Sequence, residues 1–319
     1  MCLLTLAIDQ SRRFPLVVAA NRDEFFNRPA ARLAWWSPAP GLPDVLGGRD
    51  LEAGGTWLGL TAEGRLAIVT NVRAPQASRD PGAPSRGDIV TRWLAGDAAT
   101  DRFWMRTALS GYNGFNLIAA DFQRGDCFYA TNQAPNPLRL ERGLYGLSNG
   151  ALDAPWPKVE ILKDATREAL VSCESVDALA TRLFEALGDR TPAPDDELPH
   201  TGVSPEWEKV LSAAFVRTPD LSYGTRCSTL VITERVNKRL VTHVFERTFS
   251  AAGGMALLRR SLLKDWPPRY AEGTPAHVSA QEAVLESTET QELPQPVRRT
   301  RVRTLLKPDV APRRKRAAA

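Results

Sequence analysis

Five short stretches carry side chains able to do chemistry together: Cys2, Asn21-Arg22-Asp23-Glu24, Asn71, Asn149 and Arg226. Cys2 comes first. Methionine aminopeptidases remove an initiator that precedes a residue as small as cysteine, so the mature chain is expected to begin with it. Its free α-amine, with an ordinary pKa of about 7.7–8, then sits on the residue that carries the thiol. Nucleophile and general base share one residue, the arrangement of amine-activated nucleophiles. The bland alternative is a small hydrophobe opening a core strand. Arg22 beside the thiol would lower its pKa, and a carboxylate of the same stretch would accept from the α-ammonium. Asn71 and Asn149 each follow an apolar run, where a side-chain amide can donate to a developing oxyanion. Each is equally a common turn residue. Arg226, just before the run from Cys227, is a further cation.

The elements that must position these groups follow from pattern. Cys2 to Ile8 and Pro15 to Ala20 read as two strands of a hairpin, with Asn21 to Glu24 at the end of the second. Neighbours on a strand point to opposite faces, so Asn21 with Asp23, or Arg22 with Glu24, face a cleft, but not all four. Thr56 to Thr61 and Arg65 to Thr70 form a second hairpin. Phe115 to Phe122, Cys127 to Thr131 and Gly143 to Leu147 continue the strands, while Gly47-Gly48 and Gly54-Gly55 read as turn glycines around a loop. Helical spacing marks Asp88 to Leu94, Val159 to Val171 and Val176 to Leu187. Ser204 as N-cap with Pro205 at the first position opens a helix to about Phe215. Strands return at Cys227 to Glu234 and Leu240 to Phe245 around Asn237-Lys238, and Met255 to Leu263 reads as a last helix. The loops 74–86 and 190–203, rich in Pro and Asp, are long enough to be functional. This order suits one α+β domain over residues 1–266.

Composition narrows the function classes. The chain has 319 residues, 43% hydrophobic and 24% charged, the balance of a globular protein. No apolar run approaches the length of a membrane span, and Met1 to Gln10 lack the features of a secretory signal. Four cysteines without a CxxC pair and three histidines make neither a disulfide framework nor a structural zinc site; a reducing cytoplasm is the simplest setting. The net charge of +4 is unevenly placed. Residues 298–319 hold nine Lys/Arg against Asp309, so the tail carries +8 and residues 1–297 carry −4. A nucleic-acid face is therefore not expected on the folded part. From about Pro267 the composition predicts a largely disordered basic tail, able in principle to meet nucleic acid or an anionic membrane surface.

Rival motifs are weak. Gly146-Leu147-Ser148-Asn149-Gly150 matches G-x-S-x-G, but Pro155 and Pro157 follow where a nucleophile elbow needs a helix. The glycine pairs fit neither a P-loop nor a dinucleotide fingerprint. His200, His243 and His277 are far apart in sequence. Trp35, Trp36 and Trp57 are core residues or line a cleft.

The ordered set Met1-Cys2, Asn21-Arg22-Asp23-Glu24, Gly47-Gly48-Arg49-Asp50, Gly54-Gly55-Thr56-Trp57-Leu58-Gly59 and Thr70-Asn71-Val72-Arg73 resembles the NRDE family, also called the transport-and-Golgi-organisation type 2 family. Ser85-Arg86-Gly87, Tyr112 to Leu117, Leu147-Ser148-Asn149, Pro155-Trp156-Pro157-Lys158 and Thr201-Gly202-Val203 extend the match over roughly residues 1–250. The resemblance implies a four-layer αββα sandwich similar to the cysteine N-terminal-nucleophile hydrolases. It also implies a site of Cys2, Arg22, Asp23, Asn71, Asn149 and Arg226, with no cofactor. The implied reading is an amidohydrolase-like protein acting on a small amide or acyl substrate. The same resemblance implies an alternative, a carrier of haem or a lipid-like ligand, in which Cys2 or His200 would be an axial ligand. Oligomeric state is open.

Overall fold

In the computed structural model, which describes residues 2–74, 79–251, 255–267 and 284–285, the chain forms two seven-stranded antiparallel sheets. Strand β1 (Cys2–Ile8) pairs with β2 (Leu16–Phe25), and the alternation of their side chains sorts the whole interior. Leu4, Leu6, Leu16 and Val18 point at the second sheet, whereas Leu3, Ala7, Val17 and Ala19 point at helices. Because both faces are covered, the run is apolar at nearly every position rather than at every second one. Each fully buried leucine contributes about 1.5–3 kcal/mol.

The first sheet continues through β11 (Tyr223–Val236), β12 (Arg239–Phe249) and β13 (Met255–Lys264). Its other edge is β10 (Gly143–Leu147), and the pair β14 (Val284–Leu285) adds to β13. Asn237 and Lys238 turn β11 into β12 with φ of 47° and 69°, the left-handed pair of a type I′ turn. The second sheet runs in sequence order: β3 (Ala30–Trp36), β4 (Val45–Asp50), β5 (Leu58–Thr61), β6 (Arg65–Asn71), β7 (Phe115–Asp121), β8 (Asp126–Thr131) and β9 (Leu138–Arg139).

Helices close the two outer layers. On the second sheet, α1 (Arg86–Ala95) buries Ile89, Val90, Trp93 and Leu94, and α2 (Thr100–Ala108) buries Phe103 and Trp104. On the first sheet lie α3 (Pro157–Ser172) and α4 (Val176–Leu187), the latter capped by Ser175 Oγ accepting from the Ala178 amide. The result is the αββα sandwich that the family resemblance implied. A short α5 (Pro205–Leu211) starts at Ser204, whose hydroxyl accepts from the Trp207 amide.

Three expectations are corrected. Met255 to Leu263 is not a helix but β13, in register with β12 from Val241↔Lys264 onward. Its Leu-Leu-Arg-Arg pairs fit either period, and the open edge of β12 decides. Gly47 and Gly48 lie within β4 and are not turn residues. A Cβ on Gly47 would stand 2.6 Å from the Leu58 carbonyl oxygen, and one on Gly48 2.3 Å from the Trp57 indole. Glycine is there for close packing. Finally, α5 stops at Leu211, and 212–215 leave the helix to bring the Phe215 amide onto the Asp189 carbonyl. Of the tail expected from about Pro267, only Pro267 and the strand β14 are described; the remainder, with His277 and every basic residue of 298–319, lies outside the described residues.

Candidate active site

Strand β2 runs straight through Asn21-Arg22-Asp23-Glu24, so that stretch alternates between the two faces of the sheet. Cys2 and Arg22 are direct cross-strand partners. Both are in phase with Leu4 and Val18, so they face the second sheet. Arg22 is 6% exposed and lies 4.3 Å over the Trp57 ring. Its Nη2 is 3.7 Å from Glu24 and 3.8 Å from Asp50. Arg28 completes the network through its Nε, which donates to Asp50 Oδ2 at 2.8 Å.

Asn21 is removed from the cleft. Its Nδ2 donates to the carbonyls of Leu187 and Ala214, both at 2.8 Å, and its Oδ1 accepts from Ser228 Oγ at 2.5 Å. It ties β2 to the end of α4. Asp23 is on that same helix-side face but nearer the strand end, where it accepts from Thr225 Oγ1 at 2.7 Å. Between the two arrangements left open by the sequence, Arg22 with Glu24 share the face of Cys2, and Asp23 supports from behind.

The two asparagines arrive from different sheets. The end of β6 and the end of β10 are stitched together: Thr70 Oγ1 donates to the Ser148 carbonyl at 2.6 Å, and the Arg73 amide to the Asn149 carbonyl at 2.8 Å. Asn149, fully buried, donates from Nδ2 to the Asn71 carbonyl at 2.7 Å. Ser148 Oγ donates to the Cys2 carbonyl at 2.9 Å, which fixes this junction to the start of β1. Cys2, Asn71 and Asn149 thus meet where the sheets converge. One Asn149 N–H is already given to the backbone, leaving its second for any ligand.

Arg226 sits on a bulge in β11, the irregularity between Thr225 and Cys227. Its Nη1 donates to the carbonyls of Phe25 at 2.6 Å and Arg28 at 2.9 Å. The bulge brings this cation beside Arg22, on the side away from Cys2.

Several site residues were not assigned a role from sequence. Lys158 is 4% exposed, and its Nζ donates to the Leu211 carbonyl at 2.8 Å. Burial lowers its pKa to about 8, with Asp23 the leading opposing influence. Arg73 forms a buried pair with Glu208 at 2.9 Å and stacks over Trp156 at 4.9 Å. Glu208 in turn accepts from the amide and hydroxyl of Thr201. Arg86 donates to the Gly114 carbonyl at 3.2 Å, and Cys2 and Glu24 are among the charges acting on it. The motifs Thr70 to Arg73, Ser85 to Gly87, Pro155 to Lys158 and Thr201 to Val203 contain most of these residues, and their place in the ordered set of motifs was the available signal.

Burial raises the Cys2 thiol; the amino-terminal charge and Arg22 pull it down, and Asp23 and Glu24 push it up. Burial likewise raises Asp23, against the amino-terminal charge, Lys158, the Thr225 hydrogen bond and Arg73. Among the described residues no group of three or more His, Cys, Asp and Glu side chains is arranged to hold a metal ion.

Comparison with known proteins agrees with the residue pattern. The family model Transport and Golgi organisation 2 matches residues 1–251. The chain belongs to that family. The Mus musculus Transport and Golgi organization 2 homolog is 35% identical over 253 residues, 73% of this chain and 89% of its own. The Drosophila melanogaster family protein is 28% identical over 273 residues, covering 78% and 93%. Among solved structures, the C2A mutant of conjugated bile acid hydrolase from Clostridium perfringens aligns over 92% of this chain and 97% of its own. Its TM-score is 0.44 at 11% identity. The Caenorhabditis elegans ortholog of N-acylethanolamine-hydrolyzing acid amidase aligns over 72% and 92%, with a TM-score of 0.42 and 9% identity.

Proposed function

We propose that the cleft at Cys2 is the reactive centre of an N-terminal-nucleophile amidohydrolase acting on a small amide or acyl substrate. The observation that carries this reading is the pairing of Cys2 with Arg22 at the point where Ser148, Asn149 and Asn71 join the two sheets. Once Met1 is removed, the Cys2 α-amine takes the thiol proton and the sulfur attacks the substrate carbonyl carbon. The side-chain amides of Asn71 and Asn149 donate to the oxyanion. The C–N bond then breaks, and the ammonium of Cys2 returns its proton to the leaving amine. Water, deprotonated by the same amine, hydrolyses the thioester, which releases a carboxylic acid and restores the thiol. Asp23, with Lys158 behind it, orients the ammonium, while Arg22 favours the thiolate.

The test is intact mass of the native protein before and after a brief iodoacetamide pulse near pH 7, followed by a screen of small amides. Loss of Met1, one fast adduct at Cys2 and a transient Cys2-acyl species support the reading. Retained Met1, or alkylation of Cys2 no faster than of Cys127, Cys173 and Cys227, removes it. Stoichiometric haem or lipid binding that survives Cys2→Ala, without turnover, would instead assign the cleft to a carrier.

A further inference from the structure

Four residues stand side by side across four adjacent strands on the face turned to the second sheet: Cys2 on β1, Arg22 on β2, Cys227 on β11 and Thr248 on β12. Beyond Arg22 in this row, away from Cys2, lies a partly open pocket of about 170 Å³ between the sheets. Its walls include Arg22, Trp57, Arg226, Cys227, Glu246 and Thr248. At one water-sized volume per atom, it has room for on the order of ten non-hydrogen atoms.

The walls are polar where an interior between two sheets is ordinarily apolar. Arg22 Nη1, Glu246 Oε2 and Thr248 Oγ1 are buried and have no hydrogen-bond partner among the described residues. Arg22 and Glu246 are only 6% and 1% exposed. Their other atoms are engaged: Arg22 Nη2 faces Glu24 and Asp50, and Glu246 Oε1 accepts from the Leu33 amide at 2.7 Å. Each orphaned buried polar atom costs about 1–3 kcal/mol unless a partner arrives. Three around one cavity mark a place built for a polar occupant. Charge names its type, because Arg22, Arg32 and Arg226 line the space against the single carboxyl of Glu246. Two donors and one carboxyl oxygen suit an anion that also carries a donor.

We propose that this cavity binds a small hydroxy- or amino-carboxylate, its carboxylate accepting from Arg22 Nη1 and the Thr248 hydroxyl and its hydroxyl or ammonium donating to Glu246 Oε2. Trp57, stacked on Arg22, holds that guanidinium in place. The inference shares Arg22 with the chemistry proposed at Cys2 but uses no atom of Cys2 itself.

The experiment is ligand-observed NMR on the full chain with L-lactate, propionate, lactamide and inorganic phosphate as probes. Lactate is expected to bind, propionate about tenfold more weakly and lactamide not at all. Thr248→Val should weaken lactate at least tenfold, while Thr248→Ser, which keeps the hydroxyl, should leave affinity within about twofold. Cys2→Ala should change nothing, so failure of the amidohydrolase reading leaves this result standing. Binding of lactamide equal to lactate, equal affinities for the Val and Ser variants, or no binding of either carboxylate would overturn the proposal. Phosphate binding tighter than lactate would overturn it as well, in favour of an oxyanion site without carboxylate preference.

Discussion

Cys2 and Arg22 are cross-strand partners on the first two strands, and the guanidinium of Arg22 lies 4.3 Å over the Trp57 ring. The position of a cation beside the thiol is therefore a property of strand register, not of a mobile loop. A one-residue slip of β1 against β2 would put Asn21 or Asp23 there instead.

Arg22 is one of the influences that lower the Cys2 thiol, against burial, which raises it. Replacing Arg22 with Met removes that support and lets the thiol rise further. At neutral pH, Cys2 alkylation by iodoacetamide should slow by about tenfold, and the pH profile of the rate should move to higher pH. An unchanged profile would mean the guanidinium does not act on the sulfur.

Strand register is also what made part of this site legible from sequence. The apolar runs at Cys2 to Ile8, Leu66 to Val69 and Leu144 to Leu147 place Cys2, Asn71 and Asn149 at strand ends, and strand ends are where the sheets meet. The face of Asp23 was not legible, because the choice between Asn21-Asp23 and Arg22-Glu24 rests on which layer covers which side. Asn21 is consumed by Leu187, Ala214 and Ser228, all more than 160 residues away in sequence. Arg73 and Lys158 were hidden similarly: their partners Glu208 and Leu211 lie in a helix whose packing no local pattern reports. Strand β4 escaped because Gly47 and Gly48 imitate a turn, and only their packing against the Leu58 carbonyl and the Trp57 indole of the next strand region explains them.

The Arg73–Glu208 pair gives the next test. The two side chains are 5% and 4% exposed, and Glu208 also holds Thr201. Glu208→Leu leaves a buried guanidinium without its counterion and should cost about 3–5 kcal/mol in urea unfolding. The double variant Arg73→Met with Glu208→Leu removes both charges and should recover much of that loss. A double variant no more stable than Glu208→Leu would show that Thr201 and packing, rather than the stranded charge, set the cost.

Gly48 is the support of the Arg22–Trp57 stack. Its missing Cβ leaves room for the indole, which a methyl would meet at 2.3 Å. Gly48→Ala should destabilise the fold by about 1–3 kcal/mol through overpacking. It should also displace Trp57 from Arg22, so Cys2 alkylation should slow in the same variant. Stability loss with an unaltered alkylation rate would separate the indole from the positioning of Arg22.

Glu246 supplies a prediction whose sign can be worked out. Burial raises its carboxyl from the ordinary 4.5 to about 7, opposed by the hydrogen bond from Leu33 and by Arg259, Arg22 and Arg32 around it; Thr229 is its cross-strand partner on β11, and its charge helps push up the nearby Cys227 thiol. A carboxyl raised in the folded state binds its proton more tightly there than in the unfolded chain. It contributes stability that is complete below about pH 4.5 and lost as pH rises through about 7. Glu246→Gln keeps the shape and the bond from Leu33 but cannot ionise. Its advantage over the parent should therefore be small at pH 4.5, grow across pH 5 to 7, and level off above, reaching on the order of 1–3 kcal/mol. Urea unfolding of both proteins across that range measures the difference directly. A flat difference would mean that Glu246 is ionised in the fold throughout, held by Arg259 and Arg22 strongly enough to cancel its burial.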